Sequence, residues 1–280
     1  MSLLKVHSIY HYPVKSCAPV PLQSAQITPS GFLNDRRWMV VDSETGKFVT
    51  QRKDVKMARL QAGFSDGVLA LSYSDGASST SLDVEITKTT EISTEVWGDT
   101  PYGWDQGDQV ASWLSEILGK SVRLAYIDDD QLRRVDPDYA DASDQVGFAD
   151  GFPFLITTTS SIEQFNRDLG YDISITRFRP NIVIQSDSLD SLEPYAEDNW
   201  KSISINGIQF DLVKPCSRCV MPSINPDSLE KERSVIETLV ATRKKENATY
   251  FGQNALHRVK EGLISVGDTV EILEIKTYGR

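Results

Sequence analysis

Short runs of β-branched and aromatic residues fill the first hundred residues of the chain. Turn-forming segments such as Ser43-Glu44-Thr45-Gly46 and Ser74-Asp75-Gly76 separate these runs. Runs of this length and spacing predict antiparallel strands in a barrel-like unit. The predicted strands are residues 3–10, 38–41, 48–50, 60–64, 68–72, 82–86 and 92–96.

The hydrophobic period changes to that of a helix after residue 107. Apolar residues from Val110 to Leu118 recur at helical spacing, with Asp108 as the predicted N-cap and Gly119 just past the end. Two more helices are predicted by capping boxes, Ser160 with Glu163 and Ser234 with Glu237. Residues 154–157, 182–184 and 269–274 read as further strands. The chain is therefore predicted to be mainly β with a few helices, an α+β protein.

An acidic, turn-rich segment over residues 122–144 is the predicted boundary between two domains. It contains Asp128-Asp129-Asp130 and the turn Asp136-Pro137-Asp138. We expect a β-rich N-terminal domain over residues 1–125 and a second domain over residues 126–276. A chain of 280 residues is long enough for two ordinary domains.

Composition limits the class of protein and of partner. An apolar fraction of 40% with 25% charged residues is typical of a soluble globular protein, and no apolar run approaches the length of a membrane span. Three cysteines do not make a disulfide framework, so we expect a reducing, cytoplasmic location without a signal peptide. A net charge of −11 argues against nucleic acid as a partner. Any anion site must then be a local cluster of Lys and Arg.

The segment Lys214-Pro215-Cys216-Ser217-Arg218-Cys219 follows a predicted β-hairpin. Its strands are residues 202–205 and 209–213, and Asn206-Gly207 supplies the two positive-φ positions of a type I′ turn. Pro215 is expected to end the strand because it has no N–H to donate. Two thiols at the end of a strand suit a metal ligand or a nucleophile.

Three other interpretations of this Cys-x-x-Cys pair stay open on sequence alone. A thioredoxin-type redox pair needs a helix directly after the first cysteine, and Pro222 and Pro226 disfavour one. A structural zinc site would need Cys17 and the histidines to complete it. Plain burial of free cysteine is the third alternative.

Four more segments place charged side chains beside predicted strands. The cations Lys15, Arg36, Arg179 and Arg218 would suit a phosphate group if the fold brought them together. Asp150 lies in a tight turn before a buried strand, where it either caps that turn or points into a cleft. The segments are Tyr12-Pro13-Val14-Lys15-Ser16-Cys17, Asn34-Asp35-Arg36-Arg37-Trp38, Phe148-Ala149-Asp150-Gly151-Phe152-Pro153 and Arg177-Phe178-Arg179-Pro180-Asn181.

These segments, in this order, resemble the MOSC proteins, in particular the mitochondrial amidoxime-reducing component and its bacterial relatives. Trp97-Gly98-Asp99, Phe251-Gly252-Gln253 and Val266-Gly267-Asp268 add to the likeness, which covers nearly the whole chain. The resemblance implies a β-rich N-terminal MOSC domain, then a MOSC β-barrel, with a molybdenum cofactor held between them. It also implies reduction of N-hydroxylated small molecules such as amidoximes, hydroxylamines and N-hydroxylated bases.

The resemblance further implies a role for each motif residue. Cys219 would be the protein ligand to molybdenum, and a soft thiolate suits such a centre. Asp150 would sit beside the metal, and a carboxyl group partly removed from water there would have a raised pKa suited to delivering protons. The residues expected to hold the pterin and its phosphate are Lys15, Ser16, Arg36, Arg179, Asn181, Ser217 and Arg218.

Two departures from the family pattern shape the expected partners. The mitochondrial members have a membrane anchor and some bacterial relatives have an iron–sulfur domain, and neither is seen in this sequence. Electrons are therefore expected from a separate donor protein, such as a flavin reductase, a ferredoxin or a cytochrome b5-type protein. The rival activities within the family are sulfur transfer through a persulfide on Cys219 and non-enzymatic carriage of the molybdenum cofactor.

Overall fold

The computed structural model describes residues 3–188 and 192–277, and strands dominate it. The α-helices of the described residues are α1 (Asp108–Leu118), α2 (Thr159–Leu169) and α3 (Arg233–Arg243). The strands are β1 (Leu4–His11), β2 (Val20–Leu22), β3 (Ser24–Thr28), β4 (Gly31–Phe32), β5 (Trp38–Asp42), β6 (Gln61–Ser65), β7 (Val68–Ser74), β8 (Ser79–Val84), β9 (Glu91–Ser93), β10 (Tyr102–Asp105), β11 (Val122–Tyr126), β12 (Arg133–Arg134), β13 (Gln145–Val146), β14 (Phe154–Thr158), β15 (Ile182–Ser186), β16 (Trp200–Ile205), β17 (Ile208–Ser217), β18 (Lys244–Lys245), β19 (Ala248–His257), β20 (Gly262–Ser265) and β21 (Thr269–Ile275). The predicted class, mainly β with a few helices, is confirmed.

The largest sheet closes on itself as a barrel. Its strands follow the ring order β14-β15-β1-β21-β16-β17-β19, and β19 pairs with β14 to complete the circle. The side chains inside form one hydrophobic core, as the interior of a small closed barrel must. Members of this core include Val6, Ile9, Phe154, Ile156, Ile182, Ile184, Ile203, Ile205, Phe210, Leu212, Ala255 and Val270.

Strand β1 joins the two halves of the chain. It pairs with β15 on one side and with β21 on the other, so the N-terminal strand completes a barrel otherwise built after residue 150. Strand β3 likewise pairs with β20. The division of the chain at residue 125 stays a prediction, and these pairings cross it. They hold the loop after β1 against the second half of the chain.

Smaller sheets and helix α1 enclose a second core. Strands β5, β11, β10 and β9 form one sheet, and β6, β7 and β8 form another. Trp38, Leu69, Leu114 and Leu124 are buried together between them. The segment 122–144, predicted as a connection, instead begins with β11, which pairs along its whole length with β5. The acidic residues of the segment start only after that strand.

Helix boundaries differ from the sequence patterns by one or two residues. Helix α1 is capped by Gly107, and Asp108 is its first residue rather than its N-cap. The Thr158 side chain caps α2 by accepting a hydrogen bond from the Ser161 backbone, so Ser160 is already inside the helix. No side chain caps α3, which begins at Arg233.

Residues 48–50, predicted as a strand, do not form one, because Phe48 makes only an isolated bridge to Val41.

The β16–β17 hairpin is confirmed, with one correction at Pro215. Asn206 and Gly207 have φ of 49° and 75°, as a type I′ turn requires. Strand β17 does not end at Pro215 but continues to Ser217, because register shifts on both sides of the proline bulge the strand. The bulged strand carries Cys216 and Ser217 to the end of the barrel.

His257 makes the barrel sensitive to acid. Burial lowers the pKa of His257 to about 4, its Nε2 lies 2.7 Å from the Thr28 carbonyl oxygen, and its Nδ1 has no partner in the described chain. Because the unfolded chain binds this proton near pH 6.5 and the folded chain only near pH 4, stability is lost as the pH falls between those values. We expect a loss of about 2 to 3 kcal/mol from this group. Urea unfolding at pH 6.5, 5.5 and 4.5 should show a shallower decline for His257→Gln than for the wild type, and parallel declines would contradict the assignment.

Candidate functional site

The end of β17 faces the loops after β1, β4 and β13 across a cavity. Its inner part has a volume of about 130 Å³ and it opens into a wider cleft of about 1250 Å³. The structure brings together all nine residues that were expected to act at a site, although these lie up to 204 positions apart in the chain (219 − 15 = 204). They are Lys15, Ser16, Arg36, Asp150, Arg179, Asn181, Ser217, Arg218 and Cys219.

Two arginines on the cavity wall share one aromatic ring. The guanidinium carbons of Arg36 and Arg179 lie 4.3 and 4.1 Å from the ring centre of Tyr12, which is fully buried. Both arginines have positive φ, 50° and 58°, an uncommon backbone state for such residues. Burial lowers the pKa of Arg179 to about 10, so it still carries its charge at neutral pH. Cation–π contact with Tyr12 therefore holds two positive charges close together.

Asn181 orients one of these arginines rather than facing the cavity freely. Its Oδ1 accepts hydrogen bonds from Arg36 Nη1 at 2.9 Å and from the Leu155 backbone at 3.2 Å. Its Nδ2 donates to the Tyr10 carbonyl and to Asp35. Asp35 is buried and also forms an ion pair with Arg36. The Asn181 amide is thus occupied by protein groups, and its contribution to the site is to fix the Arg36 side chain.

Lys15 and Asp150 form an ion pair across the cavity. The buried Lys15 ammonium donates to the Phe148 carbonyl at 2.7 Å and to Asp150 Oδ1. Surrounding protein atoms act to raise the pKa of Asp150, but the Lys15 charge and the hydrogen bonds from Lys15 and Trp97 outweigh them and hold that pKa well below its usual range. The prediction from the sequence that the pKa of Asp150 is raised is therefore wrong. An ammonium at hydrogen-bonding distance favours the charged form of a carboxyl, whereas burial among apolar groups disfavours it.

Ser16 and Cys17 lie in the turn after β1, and the position of Cys17 argues against a structural zinc site. Ser16 lines the cavity with a φ of 64°, and its carbonyl accepts a hydrogen bond from Gln51 at 2.8 Å that ties the turn to that side chain. Cys17 is buried in the core with Val14, and burial raises the pKa of its thiol to about 12. Within residues 3–188 and 192–277, no three His, Cys, Asp or Glu side chains are placed to share a metal ion.

The Cys216–Cys219 segment lies where β17 leaves the barrel. Arg218 Nη1 donates to Cys216 Sγ at 3.0 Å and Nη2 donates to the Phe178 carbonyl at 2.8 Å, while Cys219 is exposed at the cavity. Only a short 3-10 turn, Met221–Ser223, follows, and the next α-helix begins at Arg233. Among the described residues no helix N-terminus therefore lies at Cys216, and the geometry of a thioredoxin-type pair is absent.

Arg218 has capacity left for a ligand. Its buried Nε has no hydrogen-bond partner in the described part of the chain. A buried donor without a partner costs about 1 to 3 kcal/mol, so a bound acceptor would relieve it. The cavity also brings together five cations, Lys15, Arg36, Arg52, Arg179 and Arg218, around one exposed carboxylate. It is chemically equipped to bind an anionic group while presenting a free thiol.

Several lining residues were missed by the sequence arguments. Thr50, Arg52, Met221 and Asn254 complete the inner wall, and Trp97 lines the wider cleft. Trp97 was noted only as part of a motif, and the others follow no pattern of spacing or charge. Their positions depend on how the loops pack, which no local signal reports.

Comparisons with known proteins identify the family to which the chain belongs. Residues 3–121 match the family model described as the MOSC N-terminal beta barrel domain, and residues 143–271 match the MOSC domain. Mitochondrial amidoxime-reducing component 1 of Xenopus laevis is 30% identical over 95% of this chain and 81% of its own length. The human protein of the same name is 31% identical over 96% and 82%. Molybdenum cofactor sulfurase of Drosophila melanogaster is 30% identical over 83% of this chain but only 29% of its own length.

None of the helices in the described residues has the length and apolar character needed to cross a bilayer.

Proposed function

Because the chain belongs to the MOSC-domain family, we propose that it binds a molybdenum cofactor through Cys219 and reduces N-hydroxylated small molecules. The substrates would be amidoximes, hydroxylamines and N-hydroxylated bases. The observation that carries the proposal is the convergence of an exposed thiol with five cations in one cavity of an acidic chain. Relatives named amidoxime-reducing component and molybdenum cofactor sulfurase support a role connected with this cofactor.

The residues present fit such a cofactor. A soft thiolate at Cys219 suits molybdenum. The buried Nε of Arg218, which has no partner among the described residues, can donate a hydrogen bond to an anionic group of the cofactor. Lys15, Arg36 and Arg179 would hold the phosphate and the pterin with Ser16, Ser217 and Arg218, while Asn181 keeps Arg36 in place. When bound, the cofactor supplies the two-electron reduction of the N–O bond.

Asp150 would serve as a charged group that binds the substrate, not as a proton donor. This carboxylate is 73% exposed and ionised at neutral pH because Lys15 holds its pKa down. It can accept hydrogen bonds from the amino or hydroxyl groups of a substrate. The protons consumed by the reaction would then come from water that reaches the open cleft.

Asp150→Asn tests this assignment through the pH profile. A carboxyl whose pKa lies below its usual range is ionised throughout pH 5–8, so it contributes no limb to the profile there. We expect the variant to raise KM while lowering kcat by less than about tenfold, well short of the roughly 10²–10⁴-fold typical of a lost general acid. Steady-state rates of benzamidoxime reduction at four pH values measure both constants. A kcat lower by a hundredfold or more, with one limb of the profile lost, would restore the proton-donor role.

The electron donor belongs to the proposal as well. We propose a separate redox protein, a flavin reductase, a ferredoxin or a cytochrome b5-type protein, on the strength of the family resemblance alone. An artificial low-potential donor can replace it in the assay, so the reaction can be tested before the partner is identified.

Sulfur transfer is the second candidate function, and Cys216 is the observation that favours it. Cys216 accepts a hydrogen bond from Arg218 and lies three positions before the exposed Cys219, so a persulfide on Cys219 would have a neighbouring thiol and a cation. Metal, pterin and sulfane-sulfur analysis of protein from a cofactor-competent host separates the candidates. Stoichiometric molybdenum with benzamidoxime turnover supports the reductase. Molybdenum without turnover supports a cofactor carrier, and labile sulfur without metal supports sulfur transfer.

A further inference from the structure

Trp97 occupies an unusual position at the mouth of the cleft. Its side chain is 53% exposed, and its φ is 54°, a strained state for a bulky residue. Val96 and Asp99 exchange backbone hydrogen bonds of 2.8 and 3.0 Å around it, so Trp97 and Gly98 form the tip of a two-residue turn. Strain and exposure of a large apolar ring together call for a functional explanation.

The turn that carries Trp97 is tied to the loop that carries Asp150. Asp99 forms an ion pair with Arg133, whose Nε and Nη2 lie 2.9 and 2.7 Å from the same carboxylate oxygen. The Nη1 of Arg133 donates to the Ala149 carbonyl at 2.8 Å. The Trp97 indole N–H also donates directly to Asp150 Oδ1 at 2.9 Å. The ring and the carboxylate are therefore held as one rigid unit at the wall of the cleft.

Arg52 covers this unit. Its guanidinium carbon lies 4.7 Å from the centre of a Trp97 ring, and no carboxylate in the described ranges pairs with it. Arg52, Asp150 and Cys219 line both the inner cavity and the wider cleft. The protein thus places its own planar C–N₃ cation on an aromatic ring beside an anionic oxygen. Within the described ranges, no hydrogen bond or ion pair of the Arg52 guanidinium fixes that cation there.

We propose that Trp97 and Asp150 form a recognition site for planar amidine-type groups, and that Arg52 is the resident group which such a ligand displaces. Amidines, amidoximes and N-hydroxyguanidines share the trigonal carbon with attached nitrogens that a guanidinium has. Such a group stacks on the ring of Trp97 and hydrogen-bonds to the Asp150 carboxylate. The inference rests on the proposed function for its substrate class and adds the residues that select among substrates.

The test compares two cations that differ in shape but not in charge. Benzamidine has a planar amidinium, whereas benzylamine has a tetrahedral ammonium on the same ring. Calorimetric titration of the full chain with each gives the ratio of the two affinities. Removal of the positive charge in Arg52→Ala would raise the affinity for both cations by the same factor. The ratio of the benzamidine affinity to the benzylamine affinity is therefore the informative quantity.

We expect the wild type to prefer benzamidine, and Arg52→Ala to raise that preference several-fold because the resident group is gone. Trp97→Leu should lose the preference, by about fivefold to thirtyfold if a partly desolvated cation–π contact is removed. Trp97→Phe keeps an aromatic face without the indole donor and should retain part of it. Arg233→Ala, on the exposed side of α3, should behave as the wild type.

Equal ratios in the wild type, Arg52→Ala and Trp97→Leu would overturn the inference, provided that melting temperatures show all three to be folded. The outcome is separable from the proposed function. Preferential benzamidine binding without benzamidoxime turnover would support this site and contradict the reductase. Turnover of benzamidoxime without any preference would support the reductase and contradict this site.

Discussion

Cys219→Ser is expected to abolish reduction of benzamidoxime and to leave protein without bound molybdenum. Cys219 is the exposed thiol that faces the cation cluster, and a hydroxyl is a much poorer ligand than a thiolate for a soft metal centre. The residual rate should fall to the background of the assay. Metal content by mass spectrometry and turnover with an artificial donor measure the two effects separately.

Cys216→Ala is the matched control for this prediction. The Cys216 sulfur accepts a hydrogen bond from Arg218, which keeps its second hydrogen bond to the Phe178 carbonyl when the thiol is removed. We therefore expect retained molybdenum and a rate within about fivefold of the wild type, since one hydrogen bond contributes roughly 1 kcal/mol. Equal loss of metal in both variants would show that the two thiols act together and would contradict single ligation by Cys219.

Arg179→Ala and Arg36→Lys are expected to lower cofactor affinity by the next largest amount. Each arginine would donate a charge-assisted hydrogen bond to the phosphate, and such a bond contributes about 1.5–3 kcal/mol, which corresponds to roughly 10- to 150-fold in affinity. Lysine is chosen at position 36 because removal of the charge would leave the buried Asp35 without its ion pair. Pterin retained after exhaustive dialysis, measured as its fluorescent oxidation product, reports the loss.

The two arginines should not act independently. Both guanidinium groups lie over Tyr12, so the double variant is expected to lose less than the sum of the single losses. Arg233→Ala is a suitable control, since that side chain is 89% exposed and pairs only within its helix. Arg243 would be a poor control, because it forms an ion pair with Asp198 and stacks on Tyr195. Full pterin retention in both single variants would remove the phosphate site from this cavity.

Local sequence patterns determined the elements and the chemistry of this protein. The period-2 runs and the Asn206-Gly207 turn predicted the strands and the hairpin, because backbone preferences of this kind act over a few residues. The helical period did the same for α1. The ordered motifs around Lys15, Arg36, Arg179 and Cys219 also identified the residues that now line one cavity. Residue type there only suggested a phosphate or a soft metal as a ligand, and the family resemblance singled out the residues.

Tertiary structure alone decided how those parts act. Closure of the barrel by β1 rests on contacts between residues more than 170 positions apart, such as Ile9 with Ile182 (182 − 9 = 173), and no local signal encodes such a pairing. The bulges that carry β17 past Pro215 likewise depend on its partner β19. The pKa of Asp150 was predicted with the wrong sign because its value depends on which group lies beside it. That group is Lys15, 135 positions away in the sequence. Its charge, together with the hydrogen bonds from Lys15 and Trp97, outweighs the desolvation on which the sequence argument relied.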